Sequence, residues 1–258
     1  MLHHIELGHG LVVVLVHGLA ASLRDWDGLL PLLVTTGRRA LAVDLLGHGA
    51  SPKPTNPSAY SAEELLAAFE SWIAQLALET PFHLVGHSLG GYLSLAYCLS
   101  HPEQVASMVL INPLYTPDQM NTPLSSLRRF HRQWSPLLQA LPTGLVEWGA
   151  QRVPIYLHGI PPQLRRQKAR DLKRASPHIL RLVKQLPDLS PCLEQILAPI
   201  LLIWSDADRT LAPSSFPRLA SLLPQVTNYE ILRCGHQTHL IRPQEVGDVI
   251  LRFLDGKV

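Results

Sequence analysis

The sequence predicts a doubly wound α/β domain, a mostly parallel sheet covered by helices, with a helical insertion in its second half. Three observations predict it. Short apolar runs recur at residues 11–16, 40–43, 82–85, 108–111, 200–204 and 229–232, mostly without polar alternation. Such runs suit strands buried on both faces. Helix-like segments alternate with the runs, the pattern of right-handed crossovers. The alternation then stops between about residues 113 and 199, in a stretch too long for a loop and punctuated by prolines.

The elements follow in order. Residues 62–77 carry Leu65, Leu66, Phe69, Trp72, Ile73 and Leu76 at three- and four-residue spacing, and Ser61 with Glu64 forms a potential capping box. A second helix starts just after Ser88 and runs to about Ser100, where His101-Pro102 stops it. Within the insertion, helical patches fall at 124–141, 144–152, 162–175 and 177–185. A last helix covers 243–254. The expected organisation is a core of residues 1–112 and 199–258 interrupted by a helical cap of 113–198.

Composition narrows the class. Hydrophobic residues at 47% and charged residues at 16% exclude a disordered chain. No apolar run reaches the roughly 18 residues of a membrane span. The start, Met1-Leu2-His3-His4-Ile5-Glu6, lacks a basic segment followed by an apolar one, so no secretory leader is expected. Cys98, Cys192 and Cys234 are odd in number and lack metal-like spacing, so a reducing, cytoplasmic location is expected. The net charge of +2 implies no nucleic acid partner. Its distribution is uneven: residues 121–190 hold twelve Lys+Arg against three acids, and the rest is net acidic. That segment is either a solvated basic face or a steering field for an anionic substrate or acidic protein partner.

The strongest chemical signal is Gly86-His87-Ser88-Leu89-Gly90-Gly91, between an apolar run and a helical pattern. That is the context of a G-x-S-x-G nucleophile elbow. Ser88 would sit at a sharp, strained turn, with Gly86 and Gly90 removing Cβ atoms where strand and helix pass closely. The helix N-terminus beneath it offers backbone N–H groups to a developing oxyanion. A serine hydroxyl needs a base. His236 follows the last strand-like run, and His239 is the nearest competitor. The base needs an orienting carboxylate. Asp206 and Asp208 both follow the run 200–204.

With these parts in order, nearly the whole chain resembles the α/β-hydrolase family. The resemblance implies the α/β-hydrolase fold with about seven strands, the first near residues 2–7 turning at Gly8-His9-Gly10. It selects Asp208, which matches the aspartate of the family's G-x-x-D, with Ser205 in place of the glycine. The order Ser88, Asp208, His236 is the family's nucleophile, acid and base. His17-Gly18 resembles its HG motif, so the resemblance implies an oxyanion hole made by the amides of Leu19 and Leu89. Trp26, His17 and Gly18 become candidates for the substrate pocket, Trp26 being equally suited to core packing. Asp44-Leu45-Leu46-Gly47-His48-Gly49-Ala50-Ser51 resembles a chiefly structural loop, and Ile241 stands where a glutamate is common.

The expected reaction is hydrolysis of a carboxylic ester through an acyl-enzyme, with no cofactor and no metal. Serine at the elbow sets the chain apart from haloalkane dehalogenases and epoxide hydrolases of this fold, which use aspartate there. Four readings keep the same triad: a meta-cleavage-type C–C bond hydrolase, a cofactor-free perhydrolase or haloperoxidase, a monoacylglycerol lipase-like enzyme, and an esterase for methyl esters linked to an acyl carrier protein. A non-catalytic hydrolase-like receptor is the reading from another class. Between residues 164 and 184 lie Arg165, Arg166, Lys168, Arg170, Lys173, Arg174, Arg181 and Lys184 against Asp171 alone. Arg166, Arg170, Lys173 and Arg174 can share one helix face, while Leu164, Leu172, Ile179, Leu182, Val183 and Leu186 face the core.

Overall fold

The computed structural model describes residues 1–78, 81–120, 140–150 and 159–257. Seven strands form one sheet: β1 (His4–Leu7), β2 (Leu11–Val16), β3 (Arg38–Val43), β4 (Phe82–His87), β5 (Val105–Ile111), β6 (Ile200–Trp204) and β7 (Val226–Glu230). Their order is β1-β3-β2-β4-β5-β6-β7, and only β1 runs antiparallel. The turn at residues 8–10 is present, with Gly8 and Gly10 both at positive φ. It leads β1 past β2 to pair with β3, His4 opposite Val43.

The continuous apolar runs have a direct cause. Successive side chains point to opposite faces of a strand, and here both faces are covered. Val14, Val16, Leu84, Met108, Leu110 and Leu202 join one core layer, with Phe69 and Trp72 of α2 (Ala62–Leu76) and Leu93 and Tyr97 of α3 (Leu89–Ser100). Val13, Leu15, Val85, Val109, Ile111 and Leu201 join the other, with Leu30 and Leu33 of α1 (Leu30–Thr35) and Val246, Val249 and Ile250 of the C-terminal helix, Pro243–Leu254. Ser61 caps α2, accepting from the Glu64 amide at 3.2 Å.

The last strand departs from expectation. The apolar run spans 229–232, whereas β7 is Val226–Glu230 and Leu232 is exposed. As an edge strand, β7 buries little of either face, so a continuous apolar run does not mark it. The 3-10 turn Leu23–Trp26, the short α1 and the helix Ser215–Leu222 were not foreseen from the sequence.

Between β5 and β6 the described residues contain no strand of the sheet. They form α4 (Thr143–Ala150), α5 (Pro162–Arg174), a 3-10 stretch Pro177–Arg181 and α6 (Leu182–Gln185). The patch expected over 124–141 lies almost wholly outside the described residues, as do residues 151–152 of the next. Leu182–Gln185 is followed by Ser215–Leu222 (α7), Thr238–Ile241 (α8) and Pro243–Leu254 (α9). Among the described residues no helix is long and apolar enough to cross a membrane.

Candidate active site

β4 ends at His87, α3 begins at Leu89, and Ser88 between them has φ +52° and ψ −112°. A non-glycine residue at positive φ is strained, and such strain persists only where surroundings enforce it. Here the Ser88 amide donates to Ile111 O at 3.1 Å, and its carbonyl accepts from the amides of Tyr92 (3.1 Å) and Leu114 (3.0 Å). Close packing demands the glycines: a Cβ on Gly86 would lie 2.5 Å from the carbonyl oxygen of Gly90. Ser88 itself is half-buried.

The two candidate aspartates separate clearly. Asp208 is buried, and its Oδ2 lies 2.6 Å from His236 Nδ1. A carboxylate accepts, so Nδ1 carries the hydrogen and Nε2 is left as the basic nitrogen. Asp208 also accepts from Asn112 Nδ2 at 3.0 Å and from the amides of Thr210 (2.7 Å) and Leu211 (3.0 Å). Asp206 is exposed, and its Oδ1 accepts from the Arg233 amide at 2.6 Å. Ser205, in the family's glycine position, makes bonds a glycine could not. Its hydroxyl donates to Cys234 O and accepts from the Cys234 amide at 3.2 Å, tying β6 to the loop that carries His236.

Asn112 is a residue the sequence reading missed. It sits directly after β5 at φ +41°, donating to Asp208 and accepting from the Thr238 hydroxyl at 3.1 Å. Its signal was available, since an asparagine just beyond an apolar run is one of the few side chains suited to that backbone.

The pocket candidates fare differently. His17 is fully buried: its Nδ1 donates to Gly18 O at 2.7 Å and its Nε2 accepts from the Leu45 amide at 3.1 Å. Nδ1 is used within its own loop and Nε2 in joining the β2 and β3 loops, so the side chain belongs to the scaffold and not to a pocket wall. Trp26 is also fully buried, in the layer beneath, with its ring 4.9 Å from that of His239. Gly18 lies against the elbow, where a Cβ would come within 3.3 Å of Ser88 Cβ, which brings the Leu19 segment beside the nucleophile position.

A second correction concerns clusters. No metal-ligating set is visible in the sequence, yet the fold brings buried Asp25, His87 and His239 together, with ligand atoms within 4.8 Å of one another. The Asp25 carboxylate is already engaged: Lys168 Nζ, from α5, lies 2.9 and 3.0 Å from its two oxygens. A cation added there would sit beside an ammonium, so the trio fits a buried ion pair flanked by two histidines better than a metal centre. Burial, the largest single influence, would raise the pKa of Asp25, but the charge and hydrogen bond of Lys168 together with the contact of His239 outweigh it and hold the group below the ordinary carboxylate range. Burial also holds His87 and His239 below the usual histidine range, so both are neutral at pH 7. Lys168, counted from the sequence among the basic residues of α5, is thus buried on the core-facing side, while Arg166, Arg170 and Arg174 are exposed. The thiols of Cys98 and Cys234 are both pushed up to about 11 by burial, as expected for packed bystanders.

These observations can be set beside known proteins. A model of the alpha/beta hydrolase fold family matches residues 12–153, more than half of the chain. The chain belongs to the α/β-hydrolase fold family. It is 23% identical to Bifunctional epoxide hydrolase 2 of Sus scrofa over 98% of this chain and 53% of that protein, so it spans about half the relative's length. A shorter segment, 40% of this chain and 23% of the relative, is 45% identical to Probable lysophospholipase BODYGUARD 1 of Arabidopsis thaliana. The crystal structure of a membrane phospholipase A, described as a bacterial virulence factor, superposes with a TM-score of 0.79 at 28% identity, covering 99% of this chain and 83% of that one.

Proposed function

We propose that this hydrolase-family chain cleaves carboxylic esters through a covalent acyl-enzyme on Ser88. The observation that carries the reading is the 2.6 Å bond between His236 Nδ1 and Asp208, on the loops beside a serine held in a strained elbow. In the first step Ser88 Oγ attacks the ester carbonyl and its proton passes to His236 Nε2. Asp208 stays ionised, holding the imidazole tautomer and stabilising the imidazolium. The amides of Leu19 and Leu89 receive the oxyanion. Collapse expels the alcohol, which takes the proton from His236. Water, deprotonated in turn by His236, releases the acid and restores Ser88.

Serine at the elbow favours this over the epoxide chemistry named for the Sus scrofa relative. The test is p-nitrophenyl butyrate hydrolysis. Ser88→Ala is expected to lose turnover by about 10⁴ or more with the fold intact, and a serine-directed phosphonate to label Ser88 alone. Labelling elsewhere, or an active alanine variant, overturns the reading.

A narrower second reading takes glycerophospholipid or lysophospholipid esters as the substrate. It is supported by the names of two of the matched proteins and by the three exposed arginines of α5, which suit a phosphate headgroup. Comparing lysophosphatidylglycerol with a monoacylglycerol of the same chain tests it: faster kcat/KM on the neutral lipid would remove it.

A further inference from the structure

Behind the candidate triad lies a set of buried histidines that the reaction above does not use. His87, the elbow residue before Ser88, is 3% exposed, and its Nε2 lies 3.1 Å from the main-chain oxygen of His236. Its ring is 4.8 Å from the ring of His236 and 4.5 Å from that of His239, centroid to centroid. On its other side it presses on the loop after β2, where a Cβ on Gly18 would lie 2.9 Å from His87 Nδ1. One side chain therefore touches all three segments expected to supply reacting groups: the elbow, the Gly18-Leu19 turn and the His236 loop.

We infer that His87 is the positioning residue of the base, its Nε2–H holding the main chain of His236 against the nucleophile elbow. The inference deepens the ester-hydrolase reading and rests on it. The hydrogen-bond chemistry is unambiguous in direction. A carbonyl oxygen only accepts, so Nε2 carries the hydrogen and Nδ1 keeps the lone pair. Nδ1 has no partner among the described residues, so the ring is held by packing and by the one bond that its Nε2 makes to the base loop. The imidazole of His236 is fixed from the front by Asp208, and its backbone from behind by His87. The other supports of that loop, Ser205 on Cys234 and Thr238 on Asn112, lie two residues away on either side. His87 alone of these acts on the backbone of the base itself. It contacts no reacting atom, so its effect must pass through the placement of His236.

His87 is enclosed by His239 and His236, and beyond His239 lies Asp25, held by Lys168. Lys168 supplies the charge that Asp25 requires, which leaves the histidines free to remain neutral.

The test uses the full chain with p-nitrophenyl butyrate and three substitutions. Glutamine reaches as many bonds from Cβ as His87 Nε2 does and can donate the same hydrogen. Asparagine is one bond short, and leucine cannot donate at all. His87→Leu and His87→Asn are expected to lower kcat ten- to a hundredfold with KM within about twofold, and His87→Gln to recover kcat to within about threefold of the parent. The rate of phosphonate labelling at Ser88 should fall and recover in step with kcat. Far-ultraviolet circular dichroism reports folding. If His87→Leu does not fold, the contrast between His87→Asn and His87→Gln decides. Equal loss in glutamine and asparagine variants, or loss in neither, overturns the positioning role. That failure is distinct from failure of the underlying reading, which would show as undiminished turnover in Ser88→Ala.

Discussion

Asp208 and Asp206 stand two residues apart on one loop, yet only Asp208 is buried against His236. Asp208→Asn is therefore expected to lower kcat/KM for a p-nitrophenyl ester by about 10³ to 10⁴, because an amide in its place permits the wrong imidazole tautomer. Asp206→Asn should cost less than tenfold, and the reverse order would show that the acid is misassigned. Asp171 is a different kind of carboxylate. Burial raises its pKa to about 6, an effect that the nearby Lys168 charge and the bonds from Ser22 (2.9 Å) and Gln167 (2.7 Å) only partly offset. The folded protein then holds a proton on Asp171 that the unfolded chain has lost, so this group's contribution to stability is present below the ordinary aspartate range and declines as pH rises through about 6. Asp171→Asn, neutral throughout, should be more stable than the parent by roughly 1–3 kcal/mol at pH 8 in urea unfolding, with the gain shrinking toward pH 4. An equal difference at both pH values would mean that the carboxylate is not the cause. At this scale Ser88, the paired aspartates and His236 were legible as candidates, because motif spacing marks them. Asn112, Asp25 and the burial of Lys168 were not. Their roles arise from contacts between distant segments, and no local pattern records those.

At the scale of elements, α5 presents two polar faces. Toward the core it sets Lys168 and Asp171 against Asp25 and Ser22. Toward solvent it sets Arg166, Arg170 and Arg174, and a cleft of about 980 Å³ opens beside it, lined in part by Ser22, Gln167, Arg170, Lys173 and Arg174. We propose that the outer face steers anionic substrates or an acidic carrier protein toward the site. Replacing its three exposed arginines with glutamine should raise KM for an anionic ester about three- to tenfold at low salt and flatten its salt dependence, since charge steering is screened over about 10 Å at 0.1 M. A neutral short-chain ester should be almost unaffected. If both esters respond alike, the stripe is a solvated face and nothing more. The elements themselves were legible in proportion to their burial. Strands covered on both faces show as apolar runs, and Ile200–Trp204 and Pro243–Leu254 match their expected bounds. The edge strand β7 and the short α1 carry weaker patterns, and their boundaries come from pairing and packing with the rest of the fold.

At the scale of the whole molecule, buried contacts join the segment between β5 and β6 to the core. Ile179 and Leu182 enter the core layer, the Ser176 amide donates to Gly47 O at 2.7 Å, and the Lys168–Asp25 pair is sealed from water at its centre. Removing one member of a buried ion pair strands the other and costs about 3–5 kcal/mol, whereas removing both can be nearly neutral. The surroundings here make the two single variants unequal. Asp25→Asn leaves a buried ammonium whose remaining neighbouring carboxylate, Asp171, has a pKa of about 6, is only partly ionised near pH 6 and is already engaged by Ser22 and Gln167. Lys168→Met leaves Asp25 only 3.9 Å from His239 Nε2, and that imidazole can take up a proton and replace the lost charge. The substitute works only where His239 is protonated. Its folded-state pKa would be raised by the unopposed carboxylate, so the rescue is present at low pH and lost as pH rises through that raised value. Urea unfolding should therefore rank Asp25→Asn as the more damaging change near pH 6. Lys168→Met should approach it near pH 8.5, and the double variant should recover most of the loss at both, with a coupling of about 2 kcal/mol or more in the double-mutant cycle. Additive losses would mean that the pair does not carry the attachment of the inserted segment, and that the apolar contacts of Ile179 and Leu182 hold it instead.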